Sequence, residues 1–293
     1  PPAEPICTAK RMKLITNTVA LLGMAERGGF AIGAFNVYNL EGTLAVVGAA
    51  EEAASPAILQ IMAESISREG RPLASTCLEA ASSASVPIAV HLDHSSSRDE
   101  IERWLESGLK SVMADGSHLE FEANMEFTRD IAEMVHYNDG VVEAELGRLT
   151  GAEDGLTVPE YEAKLTDPTQ AGDFVAHTGA DALAVCIGNV HGRYRSEPRL
   201  DFERLEAIRD VVSAPLVLHG ASGLGEDLVR RSIELGVRKF NVNTEVRAAY
   251  IDSLAESFSA TESPELVVVM ERAVDAMQSL VAAKMRLFGS ASD

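Results

Sequence analysis

Positive charge is scarce in this chain of 293 residues: 25 Lys and Arg stand against 45 Asp and Glu, for a formal net charge of −20. A surface that grips nucleic acid or an anionic membrane needs a basic footprint, so the composition excludes both as partners. Long apolar runs are lacking as well. No stretch approaches the roughly eighteen consecutive apolar residues of a membrane-spanning helix, and no signal-peptide pattern opens the chain. Cysteine is sparse: Cys7, Cys77 and Cys186 are odd in number and far apart. That spacing excludes a disulfide framework and points to reduced thiols in a cytoplasmic protein, with an organellar stroma as the alternative compartment. The first residue is Pro1 rather than Met, as expected of a processed chain or a module cut from something longer. Pro/Ser/Gly-rich linkers and low-complexity runs are missing between the ends. One domain over residues 15–288 is therefore expected, between an N-terminal arm (1–14) and a flexible tail (289–293). With 46% hydrophobic and 24% charged residues, the chain can bury a sizeable core.

What is present is a rhythm. Short apolar runs recur at 30–36 (FAIGAFN), 57–61 (AILQI), 87–93 (PIAVHLD), 111–115 (SVMAD), 141–145 (VVEAE), 182–188 (ALAVCIG), 215–220 (PLVLHG) and 239–243 (KFNVN). Between them lie stretches of helical period, among them LEGTLAVVGAAEEA, RDEIERWLESG and FEANMEFTRDIAEMVHY. Continuous Val/Ile/Leu-rich runs suit parallel strands buried on both faces, and this alternation predicts an α/β protein, a (β/α)8 TIM barrel with terminal extras. A doubly wound open sheet is the second choice. Polar residues decide between them, because nearly every run ends in one: Asn36, Gln60, Asp93 with His94, Asp115, Glu143 with Glu145, His191, His219 and Asn241. A barrel gathers these at its C-terminal mouth, whereas an open sheet spreads them along a line of about 40 Å at ~4.8 Å per strand.

Of seven histidines, His136 and His177 read as surface residues on helices and His91 as a structural core residue. His94, His191 and His219 differ, each lying at or just past the end of a separate strand in HLDH, GNVHG and VLHGASG. Three imidazoles so placed can hold a zinc-like or cobalt-like ion with positions left open for substrate. Hydrogen-bonded core histidines are the competing reading, and His118 in DGSHLE is a candidate to support a ligand. Glu143 and Glu145 point to one side of their strand, as do Lys239 and Asn241 on the last. Glu143 is expected to pair with Lys239 inside the barrel, leaving Glu145 nearer the mouth. Asp93 is well placed to exchange a proton with a substrate oxygen. Glu153 and Asp154 lie in GRLTGAEDGLT, which reads as a mobile loop able to bring a general base over substrate.

The glycines point to phosphate. HGASGLGEDLVRRS and NVNTEV each run from a strand end into a helix, the two places where barrels bind phosphate with backbone N–H groups. Ser222, Gly223, Asn243 and Thr244 can donate there, and Arg195 in HGRYR can add charge. Backbone amides need no lysine, so a strongly acidic chain can still receive an anion.

Together FAIGAFNVYN, HLDH, SVMADGSHL, VEAELGRLTGAEDG, IGNVHGRY, LVLHGASGL and VRKFNVNTE, in that order, resemble the class II, metal-dependent ketose-bisphosphate aldolases from about Asn17 to Leu254. The resemblance implies a (β/α)8 barrel with His94, His191 and His219 as ligands of a divalent metal, Zn2+ or a Co2+-like ion, and Glu145 as an alternative ligand. It implies Asp93 as proton donor to the aldehyde oxygen, Glu153 as the loop residue that moves the substrate proton, and Asn241 as the group holding the enediolate. Gly192, Gly220, Ser222, Gly223, Asn243 and Thr244 would bind the dihydroxyacetone phosphate end, with a monovalent cation (Na+ or K+) near Gly192 and Gly220. Asn36, Gln60 and Arg195 complete the expected substrate contacts. The implied activity is that of a carbon–carbon lyase of carbohydrate metabolism. It would cleave fructose 1,6-bisphosphate, or second tagatose 1,6-bisphosphate, to dihydroxyacetone phosphate and glyceraldehyde 3-phosphate, in a homodimer or homotetramer.

IGNVHGRY leans toward the fructose type, while HGASGL and NVNTE, with Glu245 in place of Asp, lean toward the tagatose type. QIMAESISREGR is not the usual phosphate loop, which leaves Ser65, Ser67 and Arg68 as candidates for the distal phosphate. Three alternatives stand beside this reading: an aldolase for a different ketose phosphate, a non-catalytic phosphate- or metal-binding barrel of a larger protein, and a Schiff-base aldolase. The last would need a strand lysine, and Lys239 is the one available.

Overall fold

The computed structural model describes residues 17–62, 70–153, 156–159, 162–194, 196–260 and 263–292. In chain order it opens with α1 (Thr18–Gly28), β1 (Ile32–Asn36), α2 (Leu40–Glu52), β2 (Ala57–Met62) and α3 (Arg71–Ser83). Next come β3 (Ile88–Ser95), α4 (Arg98–Glu106), β4 (Ser111–Ala114), α5 (Phe121–Tyr137) and β5 (Val141–Leu146). Two short strands, β6 (Thr150–Glu153) and β7 (Leu156–Val158), precede α6 (Pro168–Thr178), β8 (Ala182–Val185) and another short strand, β9 (Val190–His191). The chain closes with α7 (Phe202–Val211), β10 (Leu216–Leu218), α8 (Glu226–Glu234), β11 (Val237–Val242), α9 (Thr244–Ala260) and α10 (Leu266–Leu287).

Eight parallel strands close into a barrel in the order β1-β11-β10-β8-β5-β4-β3-β2, with helices between them, which is the (β/α)8 architecture expected from the rhythm of apolar runs. Local chemistry punctuates it. Asn17, Asn39, Ser97 and Asp167 each accept a backbone N–H at a helix start, satisfying donors that the first turn leaves orphaned. Gly29 and Gly179 end α1 and α6 in the left-handed conformation.

The strands are buried on both faces. Outward side chains such as Phe35 and Phe240 pack under the helices, and Phe240 stacks on Phe288 at a centroid distance of 4.8 Å. Burying each such ring contributes about 1.5–3 kcal/mol. Inward apolar residues occupy only the lower part of the barrel, where α1 lies across the N-terminal end as a floor: Leu21 meets Ile32, Ala34 and Ile58, and Leu22 meets Met113, Ala184 and Val217. Above that floor the interior turns polar, with His91, Glu143 and Lys239 all buried.

Two features differ from the sequence reading. The stretch GRLTGAEDGLT, expected as a loop, forms an antiparallel β6–β7 pair, and β6 also pairs in parallel with β9. Its glycines serve close approach: Gly151 has φ +120°, and a Cβ there would lie 2.1 Å from the His191 carbonyl oxygen. The second difference concerns the chain end, expected to fray. Ser290 is buried and bonded to Ser55, and Ser292 N–H donates to Ala53 O, so residues 289–292 dock beside α2. α10 buries Val269, Ala273, Met277, Val281 and Met285 and leaves Leu266 and Val267 each 68% exposed at its start. The N-terminal arm and Cys7 lie outside the described residues. No helix among the described residues is long and apolar enough to cross a membrane.

Candidate active site

Three elements bring the histidines together. His219 directly follows β10, His191 sits on β9, and His94 lies near the end of β3. Asp93 and His94 are consecutive, and in a regular strand they would face opposite sides. The β3–β4 register shifts between Leu92 and Ser95, and His94 has φ +27°, a left-handed conformation rare for a side chain other than glycine. This bulge swings both side chains to the mouth. The ligand nitrogens of His94, His191 and His219 then lie within 4.8 Å of one another, all buried.

Carboxylates set which nitrogen each ring presents. Asp115 Oδ2 is 2.7 Å from His94 Nδ1, leaving Nε2 for the centre, and Glu143 Oε1 is 2.8 Å from His219 Nε2, leaving Nδ1. Those two inward nitrogens face each other at 3.1 Å. Burial would lower His94, but Asp93 and Asp115 overcome it and lift the imidazole to about 10. His219 goes the other way: burial pushes it down to about 4. Two imidazole nitrogens turned to one point are also donors that a divalent cation can use. Glu145 lies beside them with Oε2 4.0 Å from His94 Nδ1 and no hydrogen-bond partner for that oxygen among the described residues. Burial, reinforced by Asp115, pushes its carboxyl up to about 8. His94, Asp115 and Glu145 form a second group able to hold a cation. The donor chemistry, imidazoles first and one carboxylate in reserve, suits zinc or a similar borderline ion.

Beneath lies a continuous polar network. Lys239 Nζ is 2.8 Å from Glu143 Oε2, the pairing expected from strand parity. Lys239 also donates to Asn241 Oδ1 at 2.7 Å. Asp93 accepts from Asn36 Nδ2 at 3.0 Å and from Asn241 Nδ2 at 3.3 Å, and Gln60 Nε2 donates to Asn36 Oδ1 at 3.1 Å. Burial by itself would raise Asp93; the charges of His94, His219 and Lys239 and the Asn36 hydrogen bond reverse that and hold it ionised, below the usual carboxylate range. Asp93, Asn241, Asn36 and Gln60 thus share one buried cluster beside the histidines. His91 belongs to the layer below, with Nδ1 2.7 Å from Ser111 Oγ.

The glycine-rich segments lie at the β10 and β11 side of the mouth. Ser222 Oγ accepts from Glu245 N–H, so it caps α9, and Tyr38 OH donates to Asn243 Oδ1 at 2.6 Å. Thr244 opens α9. Glu245, in the same first turn, is drawn away by Lys284 Nζ at 2.5 Å. α8, by contrast, carries Glu226 and Asp227 in its first turn, which leaves α9 as the better anion site of the two. Gly192 and Gly220 have φ +80° and +66°, and a Cβ on Gly220 would lie 2.0 Å from the Val190 carbonyl oxygen. Gly223, at φ +85°, lies beside the Tyr194 ring. Two cavities flank His191: one of about 290 Å³ reaching His94, Asp115, Glu145 and Arg148, and one of about 960 Å³ lined by Thr150, Gly151, Arg193, Tyr194 and Arg199.

Glu153 ends β6; Asp154, Arg195, Ser65, Ser67 and Arg68 lie outside the described residues. The sequence reading missed Tyr194, whose hydroxyl donates to Gly220 O at 3.0 Å and accepts from Val190 N–H at 3.3 Å, clamping the His191 strand to the end of β10. Its place within HGRY, three residues after His191, was the available signal.

The comparisons with known proteins point to one family. The family model described as fructose-bisphosphate aldolase class-II matches residues 16–293. The YdjI aldolase from Escherichia coli K12 is 32% identical with a TM-score of 0.84, the match covering 95% of this chain and 98% of that one. A protein from Coccidioides immitis assigned as a fructose-1,6-biphosphate aldolase is 37% identical with a TM-score of 0.89, covering 94% and 97%. At 21% identity, fructose-bisphosphate aldolase from Campylobacter jejuni shares the fold, with a TM-score of 0.77 over 94% and 96%. A match of this extent, on a barrel whose mouth gathers three histidines and an ionised aspartate, makes the chain a member of the class II fructose-bisphosphate aldolase family.

Proposed function

We propose that the protein is a metal-dependent aldolase that reversibly cleaves a ketose 1,6-bisphosphate, fructose 1,6-bisphosphate first and tagatose 1,6-bisphosphate second, to dihydroxyacetone phosphate and glyceraldehyde 3-phosphate. The observation that carries this reading is the convergence of three buried imidazoles, two of them oriented by carboxylates, on a point beside ionised Asp93. His94, His191 and His219 would hold the divalent ion, with Glu145 as a fourth donor in reserve. Bound there, the ion supplies Lewis-acid stabilisation of negative charge on the ketone oxygen.

The chain's own groups account for the proton transfers. As a carboxylate, Asp93 accepts the proton of the C4 hydroxyl while the C3–C4 bond breaks, and in the reverse direction returns it to the aldehyde oxygen. Asn241 and Asn36 hold Asp93 in place, and Asn241 offers an amide N–H toward the reacting oxygens. Glu153, at the end of β6, exchanges the proton at C3. Backbone amides at the α9 N-terminus, with Ser222, Gly223, Asn243 and Thr244, receive the C1 phosphate, while the backbone turns at Gly192 and Gly220 suit a Na+ or K+ ion.

A coupled assay comparing the two bisphosphates, with and without a chelator, tests this reading. Cleavage that disappears on chelation and returns with zinc or cobalt is the expected result. Retained activity in chelator, together with borohydride trapping on Lys239, would replace this mechanism with a Schiff-base one.

A further inference from the structure

We propose that Lys239 is a positioning residue for the proton transfer at Asp93, acting by fixing which way round the Asn241 amide sits. This deepens the aldolase reading and rests on it. Lys239 is fully buried, and its Nζ reaches Asn241 Oδ1 at 2.7 Å as well as Glu143 Oε2 at 2.8 Å. An ammonium group has donors only. The amide oxygen of Asn241 must therefore face Lys239, which leaves the amide nitrogen toward Asp93 Oδ1. On the other flank Gln60 Nε2 donates to Asn36 Oδ1, and Asn36 Nδ2 donates to Asp93 Oδ2. Both amide neighbours of Asp93 thus present N–H, and each amide oxygen is already taken from behind.

This arrangement matters in the middle of the reaction. While Asp93 is a carboxylate, it favours an N–H from Asn241 without help. Once it has taken the substrate's proton it becomes a donor, and an amide free to rotate could turn its oxygen to accept that proton. Lys239 keeps the oxygen occupied. The proton on Asp93 then has no acceptor among its two amide neighbours.

A simple counter-ion role for Lys239, neutralising Glu143, predicts different behaviour, and a double-mutant cycle on kcat separates the two. Lys239→Met is expected to lower kcat by about 10- to 100-fold, the scale of a misplaced catalytic group, with KM changed little. In an Asn241→Ala background, which lacks the amide, the same change is expected to have almost no further effect. Losses that simply multiply would overturn the proposal. Where Lys239→Met does not fold, Lys239→Gln serves: its amide gives Glu143 a donor but can meet Asn241 either way round, so a smaller loss that again vanishes in Asn241→Ala is expected. An independent readout is the side-chain amide resonance of Asn241 in asparagine-labelled protein, assigned by its disappearance in Asn241→Ala. It should shift or broaden in the Lys239 variant, and an unchanged resonance would also overturn the idea. Wild-type protein inactive on every ketose bisphosphate would refute the aldolase reading, while this resonance would still test the orientation of the amide.

Discussion

His94 has two neighbours that decide its behaviour, Asp115 at 2.7 Å and the bulge that turns it inward. Replacing Asp115 with Ala leaves the ring free to present either nitrogen, so zinc affinity measured by competition with a chromophoric chelator should fall about 10- to 100-fold. Asp93→Ala is expected to leave metal content unchanged and lower kcat by about 10²- to 10⁴-fold; unchanged cleavage would remove Asp93 from the mechanism. His91 makes a pH prediction. Burial, with Lys239 adding to it, pushes this imidazole from 6.5 down to about 3, so the folded chain holds it neutral where the unfolded chain protonates it. Its contribution to stability is complete above about 6.5 and is lost as the pH falls toward 3, because the unfolded state binds more protons throughout that window. Melting temperatures of the chelated protein should therefore drop on acidification below neutrality, and less steeply in His91→Gln. A variant with the same slope would show that other groups govern the acid limb. At this scale the gathering of these polar residues at one mouth was largely legible, since a polar group at the end of an apolar run has few structural uses. The turn of His94 into the mouth was not, because a bulge depends on the register of the neighbouring strand rather than on the strand's own composition.

Among the elements, the helix that closes the barrel floor and the small β6–β7–β9 sheet differ in how the sequence announced them. The eight barrel strands were legible because each is a continuous apolar run, and runs of that kind survive only where both faces are covered. The stretch around Gly151 misled for a definite reason: glycine marks flexibility and close backbone approach alike, and only the β9 partner across from Gly151 distinguishes the two. Gly151→Ala should therefore destabilise, with a Cβ pressed against the His191 carbonyl at φ +120°, and should weaken metal binding as well as thermal stability. Equal metal affinity in this variant would mean that the small sheet does not support His191. Leu22 of α1 is fully buried under Met113, Ala184 and Val217. Leu22→Ala is expected to cost about 2–5 kcal/mol by denaturant unfolding, while leaving the mouth chemistry of the folded fraction intact.

For the molecule as a whole, the scarcity of positive charge resolves into a division of labour. Lys239 and Lys284 are both committed, one to Glu143 and one to Glu245, so neither is free to meet the phosphate proposed at the α9 end of the mouth. Among the described residues both cysteines are free and buried, and burial pushes Cys77 and Cys186 up to about 11. A disulfide-exchange reagent at neutral pH should find no more than one of the three cysteines in the native protein and all three after denaturation. Fast reaction of two would show that the barrel opens far more readily than its packing implies. Finally, β6 pairs residue for residue with β9, Thr150 with Val190 and Gly151 with His191, and β6 ends at Glu153. A proposed metal ligand and the proposed C3 base thus ride on one hydrogen-bonded ladder. Binding free energies coupled through such a ladder are reciprocal: whatever factor the ion adds to the affinity for a sugar phosphate, the sugar phosphate must add to the affinity for the ion. With such coupling the protein would keep its ion down to lower free-metal concentrations while substrate is abundant, so that carbon supply itself protects the site.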